Sequence, residues 1–274
     1  RTMLKNTGHE EISLSSLNSS DYSELKELVT FLIDEFKDQK INISLPSLRI
    51  DAFSLDVMSN VQDIRKSSLA FEGGWNRVKL YFMLGLPTET EEDMKGIAEL
   101  SDKIARRYYE IPKDQRNGKV QIVASSSFFV PKPFTPFQWA KMCTKEEFLD
   151  RARIVNHACR EQLNHKSIKY NWHEADVTVL EGVLARGDRR IAPVILKAYE
   201  KGCLYDAWSE TFHNDLWMEA FEECGVDIAF YNNRERDVDE ILPWDFIDTG
   251  VTKEFLKREW KNAKEEKVTP NCRQ

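Results

Sequence analysis

The sequence predicts an α/β fold in which parallel strands alternate with helices. Strand-like apolar runs recur at spacings that leave room for a helix between them, and the run Val78 to Leu84 is almost continuously apolar, as in a strand covered on both faces. That run leads directly into a turn and a capped helix. Because eight such units do not fit, we expect a partial (β/α) barrel over residues 1–168, followed by a mostly helical region over 169–274.

The amino-terminal part supplies the first two units of this pattern. Glu11 to Leu17 is predicted to be a strand and Asp21 to Asp38 an amphipathic helix. Ile41 to Leu45 is the next predicted strand, and a helix follows near Ser54 to Lys66. The order strand, helix, strand, helix favours parallel pairing with right-handed crossovers.

Residues 66–76 do not fit the alternation. Ser67 to Phe71 has the composition of a short strand, but a parallel strand starting at Val78 requires a crossover of about a dozen residues. Two explanations stay open. Either the preceding helix continues and ends at Gly73, or about thirty residues of a βα unit are absent at the Leu69–Ala70 junction.

The segment from Val78 to Tyr109 predicts a complete βα unit. Gly85 and Pro87 end the strand, and Thr88 or Thr90 can accept the first hydrogen bond of a helix that runs from Glu91 to Tyr109. Ligands gather at the carboxyl ends of parallel strands, so the loop after Leu84 is the first place to expect a site. An ordinary strand-to-helix turn is the alternative.

The rest of the chain predicts one more strand and then helices. Lys119 to Val130 is the strand, Pro131 to Trp139 is a loop, and Thr144 to about Asn164 is a helix. The helices predicted beyond Lys169 span Ala175 to Ala185, Ile191 to Lys201, Asp206 to Cys224 and Thr252 to Lys264.

Composition narrows the classes of function. A net charge of -7 and a pI near 5.5 argue against an extended nucleic-acid footprint. No apolar run of ~18 residues and no targeting pattern is visible, so we expect a soluble, cytoplasmic chain with no membrane partner. The first residue is Arg1 rather than methionine, which suggests a fragment.

The five cysteines are too far apart in sequence for a CxxC or CxxxC pair. We therefore expect reduced, structural thiols and no metal site built from neighbouring residues. Neither HExxH nor GxSxG occurs, so a zinc hydrolase or a serine hydrolase is not indicated.

Several segments together resemble a known family. They are EEISLSSLNSSDY, LPSLRIDAFS, FEGGWNRVKLYFMLGLPTETEED, SSFFVPKPFTPFQW, NWHEADVTVLEGVLARGDRR and LPWDFIDTGVTKEFLKREW. The chain resembles the carboxyl-terminal portion of a radical S-adenosylmethionine family of uncharacterised proteins. Full-length members carry an amino-terminal cobalamin-binding-like domain. The resemblance therefore implies cobalamin as a possible cofactor of the full-length parent protein.

The resemblance implies S-adenosylmethionine and a [4Fe-4S] cluster as cofactors, and a reaction through a 5'-deoxyadenosyl radical. Family members hold the cluster with three cysteines in a CxxxCxxC loop, because the iron requires thiolate ligands. This sequence contains no such triplet and begins just downstream of where the loop is expected. The family also carries a strand, a glycine-containing loop and a helix where this chain has the Leu69–Ala70 junction.

Candidate site residues follow from the same resemblance, and for each of them a structural turn or a surface ion pair is the alternative. The implied cofactor-binding residues are Ser15, Ser16, Ser47, Arg49, Gly85, Leu86 and Pro87. The substrate-side candidates are Lys132, Thr135, Gln138 and Trp139. A proton-transfer pair (His173 and Glu174) and an anion clamp (Asp188, Arg189 and Arg190) are further candidates.

Two classes of function remain open for the chain. In the first, it is part of a radical S-adenosylmethionine enzyme that acts on an unknown substrate. In the second, it is a truncated, non-catalytic barrel that serves as a binding or scaffold module. The fold cannot identify the substrate, because one barrel supports many chemistries.

Overall fold

The computed structural model describes residues 11–13, 31–32, 35, 42–44, 71, 76–116 and 118–269. From residue 76 onward, the described residues contain a three-stranded parallel sheet and seven α-helices. Two short strands nearer the amino terminus, β1 (Glu11–Ser13) and β2 (Asn42–Ser44), pair in parallel with each other. The predicted α/β class with parallel strands is confirmed.

The three-stranded sheet has the order β3–β4–β5, with β4 in the centre. Its strands are β3 (Arg77–Leu84), β4 (Gln121–Phe128) and β5 (Ile168–Trp172). The sequence pattern did not predict β5, which is only five residues long and alternates apolar with polar side chains. The predicted domain boundary at residues 168/169 falls inside this strand, so the sheet extends to Trp172.

Two long helices cover one face of the sheet. They are α1 (Glu91–Glu110) and α2 (Lys145–Glu161), and each begins with a capping box, formed by Thr90 and Thr144 respectively. Thr88, the other predicted cap, instead has a φ of 68° and lies in the turn. Both helices bury their apolar stripes against inward-facing side chains of the sheet, such as Leu84 and Ala124.

Five helices follow β5; the first four share a second core, and the last packs against the loop after β4. They are α3 (Ala175–Arg186), α4 (Ile191–Glu200), α5 (Asn214–Glu223), α6 (Ile228–Asn232) and α7 (Lys253–Lys264). The helix predicted from Asp206 starts only at Asn214, because residues 206–213 form turns around a left-handed Tyr205. No helix in the described residues has the length and apolarity needed to cross a bilayer.

Only parts of the amino-terminal predictions fall on described residues. The described positions within the predicted helix from Asp21 to Asp38 are helical, namely Phe31, Leu32 and Glu35. Phe71 is also helical, which agrees with a helix that continues toward Gly73. The helix predicted near Ser54 to Lys66 and the Leu69–Ala70 junction lie outside the described residues.

Candidate functional site at the carboxyl edge of the sheet

The carboxyl ends of the three strands meet at one edge, as parallel strands must. The Phe129 amide donates to the Leu84 carbonyl at 2.8 Å, and the His173 amide donates to the Ser126 carbonyl at 3.1 Å. These bonds extend the sheet past its last paired residues. They bring together the loop after β3, the loop after β4 and the start of α3.

The two faces of the sheet differ in burial. On the face toward α1 and α2, Leu84, Ile122 and Ala124 are fully buried. On the opposite face, Tyr81 is 54% exposed and Met83 is 44% exposed. Among the described residues, β3 is therefore covered on one face only, and the prediction that it is covered on both faces is wrong there.

We call this second surface the open face. Strand alternation and the cross-strand register place ten side chains on it. Six of them offer chemistry toward the carboxyl edge, namely Lys79, Tyr81, Met83, Ser125, Ser127 and Asn171, and the others are Arg77, Gln121, Lys169 and the buried Val123. The Lys79 ammonium lies 4.9 Å from the Tyr81 ring centre, and the Ser127 hydroxyl donates to the Phe82 carbonyl at 3.3 Å. The open face thus offers an aromatic ring, a thioether, hydroxyls and an amide. Such groups suit the binding of a flat ring with polar substituents.

None of these six residues was a candidate from the sequence. The available signal was the alternation within the strands, above all the Ser125 to Ser127 run in a strand that is otherwise apolar. A polar run in a central strand is unusual for a sheet covered on both faces.

The loop after β3 is held by Glu89. Its two carboxylate oxygens share the Gly85 N–H in a bifurcated hydrogen bond, at 3.1 and 3.0 Å, and one of them also accepts from Arg151 Nε at 2.9 Å. Burial raises the pKa of Glu89, although the Gly85 amide and Arg151 oppose that shift. Glu89 thus holds the turn after β3 in place. It was not a candidate from the sequence.

Gly85 is required at this turn by its backbone and its packing. Its φ is 87°, and a Cβ atom there would lie 2.7 Å from the Phe148 ring. Leu86 is half-buried against the cluster that contains Trp139, and Pro87 is half-buried in the turn itself. The structure thus places all three predicted residues at the carboxyl edge, with the Gly85 amide already used within the chain.

The four substrate-side candidates divide into two groups. Lys132 forms an exposed ion pair with Glu181, and the Thr135 hydroxyl donates to the Lys132 carbonyl at 2.8 Å. Gln138 and Trp139 are buried where the loop after β4 packs against the carboxyl-terminal segment. Their side chains therefore hold that contact together.

The remaining candidates lie just before and just after α3. His173 and Glu174 are exposed at the start of α3. Asp188 accepts bonds from Arg190 Nε and Nη2, the latter at 2.6 Å, and from the Tyr231 hydroxyl at 3.2 Å. These bonds, above all those from Arg190, hold the pKa of Asp188 well below its usual range. The Arg190 guanidinium is thus already paired within the chain.

Four predicted cofactor residues lie outside the described residues: Ser15, Ser16, Ser47 and Arg49. The described cysteines are free thiols at positions 143, 159, 203 and 224. Among the described residues, no group of three or more His, Cys, Asp or Glu side chains is arranged to hold a metal ion.

Comparison with known proteins finds an archaeal relative. The chain is 26% identical to an uncharacterised protein of Methanocaldococcus jannaschii over 243 residues, which covers 79% of this chain. The chain spans half the length of that relative. No family model matches the sequence, and no solved structure matches it.

Proposed function

We propose that this chain is part of a radical S-adenosylmethionine enzyme and that its open face lines the interior of a partial (β/α) barrel. The observation that carries the proposal is the exposure of Tyr81 and Met83 on a parallel sheet, since such sheets are almost always covered on both faces. In a barrel, the face away from the helices points to the barrel interior, and ligands bind at the carboxyl ends of the strands that surround it. The resemblance of the sequence to the family supports the same arrangement.

The length of the match with the archaeal relative also supports it. Because 79% of 274 residues is about 216, the 243 aligned positions include about 27 that have no counterpart in this chain. One βα unit has roughly that size. A missing unit of that size is one of the two explanations left open for residues 66–76.

The open face has the chemistry to hold S-adenosylmethionine. The Tyr81 ring offers a stacking surface for adenine, and Ser125 and Asn171 offer polar contacts for the ribose and methionine groups. Leu86 and Pro87 add half-buried apolar surface at the carboxyl edge. When bound beside a reduced cluster, this cofactor supplies a radical that abstracts hydrogen from a substrate.

The cluster itself does not fit the described residues. The four described cysteines are not grouped, and burial raises the pKa of Cys143 and raises that of Cys159 to about 11. A raised pKa opposes the thiolate that iron requires. The dispersed positions of the cysteines favour the second candidate function, a binding module without catalysis of its own. We therefore assign no chemical step to the cluster.

Equilibrium dialysis of the chain against labelled S-adenosylmethionine tests the proposal. We expect saturable binding that weakens by about tenfold or more in Tyr81→Ala and Asn171→Ala, which corresponds to the loss of one good contact. Asn214→Ala, in helix α5, is the matched control and keeps wild-type affinity. No binding, or equal binding by all four proteins, contradicts the proposal.

A second measurement separates the enzyme from the module. The chain is subjected to anaerobic iron-sulfur reconstitution, dithionite is added, and 5'-deoxyadenosine is measured. Formation of 5'-deoxyadenosine would show that the dispersed cysteines do bind a cluster, which contradicts the misfit described above. Binding without cleavage supports the module for this chain.

A further inference from the structure

Helix α4 is apolar on two of its faces. Its inner face is buried in the second core through Ile191, Val194 and Ala198. A second row of apolar residues, three and four positions apart, lies on the outside of the helix. We call this row the α4 stripe, and its members are Ala192, Ile195, Leu196 and Tyr199. The last three side chains are 47%, 58% and 62% exposed.

The α4 stripe has the pattern of a contact surface. A helix that is apolar all round is normally buried, because water is excluded from both of its faces. Single exposed apolar residues are common on proteins, whereas neighbouring ones that form a continuous patch mark a site of interaction. Residues three and four positions apart on a helix are neighbours, so the members of the α4 stripe form such a patch.

Exposed aromatic residues follow the α4 stripe in sequence. Tyr205 is 77% exposed and Trp208 is 67% exposed. The turn that carries them is fixed, because the Tyr205 carbonyl accepts from the Trp208 amide at 3.0 Å and from the Thr211 hydroxyl at 2.6 Å. Tyrosine and tryptophan are enriched in protein–protein interfaces. The composition of this region therefore favours a protein as the partner.

The charges at the two ends of the α4 stripe narrow the choice of protein partner. No charged residue interrupts the stripe itself. At its amino-terminal end, the exposed Arg189 has no ion pair among the described residues, since the adjacent Asp188 binds Arg190. At its carboxyl-terminal end, Glu200 is held only by a 3.6 Å contact with Lys197. One end thus offers a positive charge and the other a negative charge.

These two charges lie along one edge of the helix. The Ala192 amide donates to the Arg189 carbonyl at 3.3 Å, so Arg189 already belongs to the helical turn that leads into α4. Steps of four, three and four positions then form a single row on a helix. The row runs through Arg189, Pro193, Leu196 and Glu200.

A second copy of the chain matches this arrangement. In a two-fold dimer, the same patch of both subunits forms the interface. If two copies of α4 pack antiparallel with the axis between Ile195 and Leu196, Arg189 lies opposite Gly202 of the partner subunit. Glu200 of the partner subunit is two positions away, which is about 3 Å along the helix axis. Long side chains span that distance, so an Arg–Glu pair forms at each end of the apolar contact.

We propose that the α4 stripe is a homodimer interface, in which α4 packs antiparallel against α4 of a second copy of this chain. The apolar side chains of the stripe bury one another, and Arg189 pairs with Glu200 of the partner subunit. A partner of a single charge sign would leave one of these two residues facing a like charge. The interface does not involve the open face, so it is independent of the proposed function.

Sedimentation equilibrium at several protein concentrations tests the interface. We expect the wild-type chain to form a dimer, and Leu196→Glu to weaken it by about tenfold or more, because two carboxylates then meet beside the two-fold axis. Leu163→Glu is the matched control, since Leu163 is an exposed leucine outside the stripe, and it keeps the wild-type dimer. Both positions are exposed, so circular dichroism should show the native fold in both variants.

A charge exchange tests the antiparallel geometry. Arg189→Glu and Glu200→Arg should each weaken the dimer by about threefold or more, because each places like charges at both ends of the stripe. The double variant restores opposite charges and should recover the wild-type dimer. Two weakened single variants without recovery in the double variant would contradict the antiparallel pairing.

Two further results would overturn the proposal. One is a wild-type chain that stays monomeric at every concentration, or a dimer that Leu196→Glu leaves intact. The other is a monomer that cosediments with phosphatidylcholine vesicles and loses this binding in Leu196→Glu, which would assign the stripe to a lipid surface.

Discussion

The side-chain oxygen of Gln138 accepts a hydrogen bond from the Trp244 indole nitrogen at 2.7 Å, deep inside the protein. The same oxygen accepts the Phe134 amide at 3.1 Å. One buried amide thus joins the loop after β4 to a segment more than a hundred residues away. This contact therefore fixes the loop after β4 against the carboxyl-terminal segment.

Replacement of Gln138 by leucine should destabilise the protein. The change leaves the buried Trp244 indole N–H and the part-buried Phe134 amide without this acceptor, which costs about 2 kcal/mol of unfolding free energy. Urea unfolding followed by tryptophan fluorescence measures the loss.

Thr135→Ala is the control on the same loop. The exposed Thr135 hydroxyl makes one bond to the Lys132 carbonyl, so its removal should change the unfolding free energy by less than about 0.5 kcal/mol. Equal losses in the two variants would mean that the buried contact does not hold the loop.

A pair of glycines tests the packing at the turn after β3. Gly85 and Gly202 both have positive φ, 87° and 100°, so alanine is strained at each. Only at Gly85 does a new Cβ meet a neighbour, the Phe148 ring. Gly85→Ala should therefore lose about 1–3 kcal/mol more than Gly202→Ala in urea unfolding. Indistinguishable losses would show that the turn has room.

The ion pair of Asp188 should make stability depend on pH in acid. Because the pKa of Asp188 is lowered by folding, its contribution is present above its ordinary value of 3.8 and is lost as pH falls toward the folded value. The stability difference between wild type and Asp188→Asn should be constant from about pH 5 to 7 and shrink below about pH 4. A difference that stays constant down to about pH 2 would refute this interpretation.

Thiol reactivity checks the burial of the cysteines. Burial raises the pKa of Cys159 to about 11, so thiolate is scarce there at neutral pH. In the native chain, mass spectrometry after brief alkylation should find Cys159 unmodified, and alkylation in urea should modify it fully. Rapid native labelling of Cys159 would contradict the described packing.

Much of the fold was predictable, because local chemistry determined it. The capping boxes at Thr90 and Thr144 each depend on residues that are close in sequence, and the two helices begin where expected. Strand β5 and the turns at 206–213 were not predictable in the same way. The first depends on pairing with β4, and the second on a left-handed Tyr205.

The site was less predictable than the fold. The sequence located the loop after β3, but the role of Glu89 depends on Arg151, which lies in a distant helix. The burial of Arg186 likewise depends on Ala140 and Arg236, which are remote in sequence. Long-range contacts of this kind leave no local pattern.

The methyl group of Met83 offers the most direct test of the open face. With carbon-13 methyl labelling of methionine, S-adenosylmethionine should shift the Met83 signal saturably and leave that of the buried Met142 unchanged; Met83→Leu assigns the signal. That result would place the ligand on the open face. Saturable binding that leaves the Met83 methyl signal in place would contradict the proposed cofactor site. The absence of any shift at a saturating concentration of S-adenosylmethionine would contradict it as well.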